Sequence, residues 1–135
     1  MLGAGAAEAR LLLDGSVHAV IAGDWAEGMG ASLRTGLRAL GDADTDAVVV
    51  SLVDLPDVGA EVVRRLLDLA TDPGVLARAA YDGEPGHPVL LGHDHWAGVL
   101  ATARGDRGAR EYLAEHEVLL VECGDLATGR DRDEP

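Results

Sequence analysis

The run VVVSLVDLP, residues 48–56, constrains this chain more than any other stretch. A Val/Leu run without alternation, closed by turn residues, reads as a strand covered on both faces of a parallel sheet, because alternation vanishes when neither face meets water. The strand is predicted over 48–53, inside the sheet, with Asp54 delivered to its carboxyl end. In open α/β sheets ligands gather just outside the carboxyl ends of strands, so a carboxylate there is placed to meet a substrate or a metal. The same residue can instead cap the following turn, whose shape Pro56 fixes. Position alone leaves both readings open.

On either side the pattern alternates between helix and strand. AAEARLLLDG reads as a short helix stopped by Gly15, and VHAVIAG as a strand. GMGASLRTGLRALG sets Met29, Leu33, Leu37 and Leu40 on one side of a helix that Gly41 ends. GAEVVRRLLDLATDPG repeats the device, with Val62, Val63, Leu66 and Leu67 inward and Arg64, Arg65 and Asp68 toward water. In LARAAYDGEPGHPVLLG two apolar runs flank a Gly/Pro-rich turn, the pattern of a hairpin or bent strand. Helices follow in HDHWAGVLATA and GAREYLAEH, then a strand in VLLVEC and a polar tail, GDLATGRDRDEP, with no pattern of its own. Strands alternating with helices predict a three-layer, Rossmann-like α/β domain with a mostly parallel sheet. At 135 residues the chain makes one domain.

Charge narrows the partners. With 24 acidic against 11 basic residues, a formal charge of −13 argues against a general grip on nucleic acid or an anionic membrane. All the basic residues are arginines. The chain has no long uninterrupted apolar stretch and no signal-peptide pattern at its start, so a soluble, cytoplasmic protein is expected. The single cysteine, Cys123, sits beside an apolar run and reads as a small packed side chain.

Four segments invite chemical readings. MLGAGAAEAR contains G-x-G ahead of a helix, but only Met1 and Leu2 precede Gly3, and a phosphate-cradling loop needs a strand to aim it. In GDWAEGMGAS, Gly28 and Gly30 let backbone approach a ligand and Ser32 stands on the first helical turn, although an ordinary glycine-rich loop looks the same. His93 and His95 in GHDHW, with His87 nearby, fall short of a zinc site, which normally gathers three converging protein ligands. Arg104, Arg107 and Arg110 in RGDRGAR suit phosphate oxygens through their guanidinium forks, or form a solvated arginine face.

Taken in order, these segments resemble the MobA-like nucleotidyltransferases, specifically the molybdenum-cofactor cytidylyltransferase branch. DWAEGMGASLRTGL is similar to that branch's W-x-x-G-M-x-x-S-L-x-x-G-L segment, LVDLP to its metal-binding aspartate motif, GHPVLL and GDRGAR to its substrate-side elements, and DRDEP to its closing D-x-D-x-P. The resemblance implies that Asp54 is the catalytic acid holding Mg²⁺ and that Asp133 is a second carboxylate for it. Gly28, Met29, Gly30 and Ser32 would border the nucleotide base, with His87 and Arg107 on the substrate side. It implies transfer of CMP from CTP to a molybdopterin phosphate with release of pyrophosphate. Paired aspartates with Mg²⁺ suit such a transfer, which rests on positioning and on neutralising charge.

The family's opening segment, L-A-A-G-x-G-x-R-M-G-x-x-K, has no counterpart among these residues. The expectation is therefore a domain lacking its first βα unit, roughly 30 residues or more. Its hold on CTP should be weak or absent and its nucleotidyl transfer impaired or lost, and its uncovered apolar surface should favour self-association. Two alternatives stand beside the cytidylyltransferase reading: a non-catalytic binding or assembly module, and a nucleotidyltransferase for another phosphorylated acceptor. The site reading further expects Asp54 beside the N-terminus of the 28–40 helix, and a tail that frays at Asp133.

Overall fold

A computed structural model describes residues 29–40, 46–52, 54–102 and 109–130, the side chain of Met29 excepted. Two compact units divide the chain, Met1–Asp44 with Trp96–His116 and Thr45–His95 with Glu117–Pro135. The helix and strand expected before residue 24 lie outside the described residues.

The second unit holds the sheet. Its strands are β1 (Ala47–Val50), β2 (Leu76–Tyr81), β3 (Glu84–Gly92) and β4 (Leu119–Glu122), in the order β1-β3-β2-β4. β2 and β3 form the expected hairpin, turning at Asp82 and Gly83, both of which take positive φ, 52° and 83°. That αL geometry is open to glycine at no steric cost and is tolerated by aspartate. A two-residue turn forces an antiparallel return, so β3 slots between β1 and β2 against their common direction. β4 then pairs parallel to β2. Three strands thus run one way and β3 the other, an α/β sheet of mixed direction.

The strand predicted over 48–53 is shorter than expected, ends at Val50, and has β3, antiparallel, as its described neighbour. Its four residues are half-buried. The strand covered on both faces is β2, between β3 and β4, where Ala77 and Ala79 are buried on one face and Leu76 and Ala80 on the other. Helix α2, Ala60–Leu67, packs on this sheet with Val62 and Leu66. Both join Ala77, Ala79, Tyr81, Leu90 and Cys123 in one core cluster. Leu67, expected inward, is 47% exposed, and Val63 is half-buried. The buried pair is spaced i, i+4, a narrower stripe than the four-residue face expected, because a two-turn helix touches the sheet along one line. Cys123 is buried, as the sequence suggested.

The first unit contains helices α1 (Met29–Leu40) and α4 (Arg110–Glu115) and, from Trp96 on, α3 (His93–Thr102). Among the described side chains of α1, Ala31 and Leu37 are buried, while Leu33 is half-buried and Leu40 is 36% exposed. Trp96, Val99, Tyr112 and Leu113 are buried along α3 and α4. Gly98 lies directly under the Tyr112 ring, and a side chain there would collide with it.

Candidate functional site

The site is built where β1 gives way to a tight turn. Val58 donates its N–H to the Leu55 carbonyl at 3.3 Å, closing the turn around Pro56, and buried Leu55 pins it. Asp54 and Asp57 stand exposed on either side of that anchor. In the ladder Val50 is opposite Val89. His87 therefore lies two residues beyond the last β1 partner, at the sheet end that carries Asp54.

His87 is half-buried and held in place through its backbone. Tyr81 donates its hydroxyl to the His87 carbonyl at 2.6 Å, and Arg78 donates Nε–H to the Gly86 carbonyl at 3.1 Å. The His87–Pro88 peptide is cis. Burial pushes the imidazole pKa down, the Arg78 charge pushes it the same way, and the Asp54 charge opposes them. A depressed pKa leaves the ring neutral around pH 7, with one N–H to donate and one nitrogen to accept. Asp54, an exposed carboxylate, and Arg78, a guanidinium, thus both act on the neutral His87 imidazole.

The tail, expected to be patternless, is a docked strap through residue 130. Cys123 extends the parallel ladder by donating to the Ala80 carbonyl at 2.7 Å. Arg65 grips Asp125 through two bonds of 2.7 and 2.9 Å and the Glu122 carbonyl at 2.8 Å. The Glu122 carboxylate accepts the N–H groups of Asp82, Gly83 and Gly124. Gly129, at φ +67°, lies against the Tyr81 ring where a side chain has no room. Asp57 Oδ2 receives both the N–H and the O–H of Thr128, at 2.6 and 2.7 Å. A cleft of about 390 Å³ remains between hairpin and strap, lined by Tyr81, Glu84, Gly86, Thr128 and Arg130 among others.

These bonds make the strap acid-sensitive. Hydrogen bonds to Thr128 lower the Asp57 pKa, those to Gly83 and Gly124 lower that of Glu122, and Arg65 lowers that of Asp125. A carboxylate whose pKa is depressed by folding contributes stability above its unfolded value, near 4, and loses it as pH falls through the folded value. Hydrogen-exchange protection at the Gly83, Gly124 and Thr128 amides is therefore expected to fall below about pH 4. The Leu90 amide of the central ladder should stay protected there.

The other expected site residues fall in the first unit, in the second, or outside the described residues. Gly28, Arg104, Arg107 and Asp133 lie outside the described residues, as does the side chain of Met29, whose backbone opens α1. Gly30 is buried and Ser32 half-buried in α1, in the first unit, whereas Asp54 and His87 belong to the second. Arg110 is exposed at the start of α4. His95 Nε2 meets the Gly74 carbonyl at 3.0 Å. Among the described residues no group of three or more His, Cys, Asp or Glu is placed to hold a metal ion. No helix among them is long and apolar enough to cross a membrane.

Sequence reasoning missed Arg78, Asp57 and Thr128. Arg78 carried a readable signal, being the one charge in the apolar run VLARAAY. Nothing local marks the other two.

Comparison with known proteins adds two findings. Residues 2–119 match the family model described as MobA-like NTP transferase domain. Nicotine blue oxidoreductase of Paenarthrobacter nicotinovorans is 36% identical over 124 residues, covering 84% of this chain and 59% of that protein. The chain thus spans about three fifths of the length of the curated relative it matches.

Proposed function

Because this chain belongs to the MobA-like NTP transferase family, whose members generally depend on a divalent metal, we propose that it transfers a nucleotidyl group from a nucleoside triphosphate to a phosphorylated acceptor. CTP and a molybdopterin-type phosphate are the favoured pair, a choice supported by the resemblance of the Gly28–Ser32 segment. One observation carries the reading: an exposed carboxylate, Asp54, follows β1 at the sheet end where His87 lies, two residues beyond the last β1 partner. In the reaction an acceptor phosphate oxygen attacks the α-phosphorus of CTP. The bond from that phosphorus to the β-phosphate oxygen breaks, and pyrophosphate leaves.

The donor chemistry suits Mg²⁺. That ion takes oxygen ligands, keeps several waters and is held by one or two carboxylates plus substrate phosphates. Asp54 offers one such carboxylate, and Asp133 is the proposed second. When bound, the ion would neutralise charge on the phosphate oxygens. Arg78 adds a fixed cation on the acceptor side, and neutral His87 a hydrogen-bond donor that brings no second charge. Arg107 is the proposed further phosphate contact.

These 135 residues contain no lysine and no L-A-A-G-x-G-x-R segment. Charge-assisted bonds to phosphate are worth about 1.5–3 kcal/mol each. The chain by itself is therefore expected to hold CTP with Mg²⁺ only in the millimolar range. The test is calorimetry with CTP, GTP and Mg²⁺, paired with pyrophosphate release in the presence of a pterin monophosphate. Mg²⁺-dependent release favouring CTP is expected. Binding without release would make the domain a binding module, and neither binding nor release by any nucleotide would overturn the reading.

The similarity to nicotine blue oxidoreductase supports a second reading, a redox reaction on a compound of that kind. A nicotinamide dinucleotide would be the co-reactant that gives or takes the two electrons. Its turnover in the presence of nicotine blue, without pyrophosphate chemistry, would establish this reading.

A further inference from the structure

We propose that Asp57 and Thr128 are positioning residues that fix the Asp54 carboxylate for its metal, by tying the turn that carries Asp54 to the C-terminal strap. The inference rests on the reading of Asp54 as a metal acid and goes beyond it by naming what holds that acid still.

Asp54 and Asp57 are exposed carboxylates three residues apart, and Asp57 is tied to the strap. Asp57 Oδ2 accepts the Thr128 N–H at 2.6 Å and the Thr128 O–H at 2.7 Å, across 71 residues of chain. The turn between them is closed by the bond from Val58 N–H to Leu55 O. A turn held by a backbone bond and a buried leucine carries fewer restraints than a helix or a paired strand, and two charge-assisted bonds at its far side restrict it further. The strap makes a firm anchor because Arg65 grips Asp125 and Glu122 gathers three N–H groups only a few residues upstream. Partners of a metal ligand's own support tune affinity by about 10–100-fold when removed.

The test is a Mn²⁺ titration of the 135-residue chain, read from the spectrum of the free aqua ion. Thr128→Val is the decisive variant, since it removes the hydroxyl without altering charge near Asp54, whereas Asp57→Ala also deletes a negative charge. Thr128→Val is expected to weaken Mn²⁺ about tenfold and Asp57→Ala by at least as much. Thr128→Ser, which keeps the hydroxyl, should stay within twofold of wild type. All three variants should still melt cooperatively and be fully folded at the titration temperature, Thr128→Ser as wild type, which separates positioning from loss of fold. Unchanged Mn²⁺ affinity in Thr128→Val would overturn the inference and leave the role of Asp54 standing. Unchanged affinity in Asp54→Asn would overturn that role, and this inference with it.

Discussion

Gly92→Ala is expected to lower the melting temperature by about 10–20 °C, the largest stability loss any single methyl group should cause here. Gly92 ends β3 where the chain turns into α3, and three segments converge on that junction. Gly92 donates to the Val75 carbonyl at 2.8 Å, His93 to Asp46 at 2.8 Å and Asp94 to Pro73 at 2.9 Å. A Cβ on Gly92 would come within 2.7 Å of the Val75 oxygen and closer still to that of Pro73. Both obstacles are backbone, one of them a proline with little torsional freedom, so no side chain can swing aside. Overpacking costs about 1–3 kcal/mol, and each displaced backbone bond about 1 kcal/mol more. The sum, about 3–5 kcal/mol, is a large share of the 5–15 kcal/mol a domain holds. Gly59→Ser provides the contrast, because nothing lies within 4 Å of a Cβ there and Gly59 is the N-cap of α2 without a side-chain cap. That change should leave the melt unchanged or raise it slightly. Equal melts for Gly92→Ala and wild type would show that the junction can rearrange.

The contrast between the two glycines shows which parts of this fold could be read in advance. The hairpin was legible because Asp82-Gly83 is local turn chemistry between apolar runs. The helices from 29 on were legible from periodicity, although α2 buries Val62 and Leu66 alone. Strand direction was less accessible. Nothing in the run at 48–53 says that its neighbour is reversed, since that follows from how far the hairpin folds back. The strap was hidden for a related reason. Its ties join residues 57, 60 and 71 positions apart, and to local patterning they look like ordinary polar residues in a tail. Asp54 could be found because a charge ending an apolar strand is conspicuous. Thr128 could not, because its importance lies wholly in its partner.

Asp54→Asn is the change expected to affect turnover most, cutting Mg²⁺-dependent pyrophosphate release from CTP by about 10²–10³-fold, or roughly 3–4 kcal/mol of transition-state stabilisation. The amide keeps the size of the carboxylate and removes the charge. A hard divalent ion binds ionised oxygen far better than amide oxygen, so the loss falls on the metal and on the phosphate charge it would offset. Stability should hardly move, because the residue is exposed and surface substitutions of this kind stay within about 0.5 kcal/mol. A second consequence sharpens the test. The Asp54 charge opposes the downward pull that burial and Arg78 exert on the His87 pKa. Removing it should lower that pKa further, visible as an acid shift of the His87 ring resonances in a titration of the metal-free chain. Lost turnover together with that shift would place Asp54 beside both the metal and His87. Turnover within threefold of wild type would remove Asp54 from the chemistry and leave it the cap of a turn.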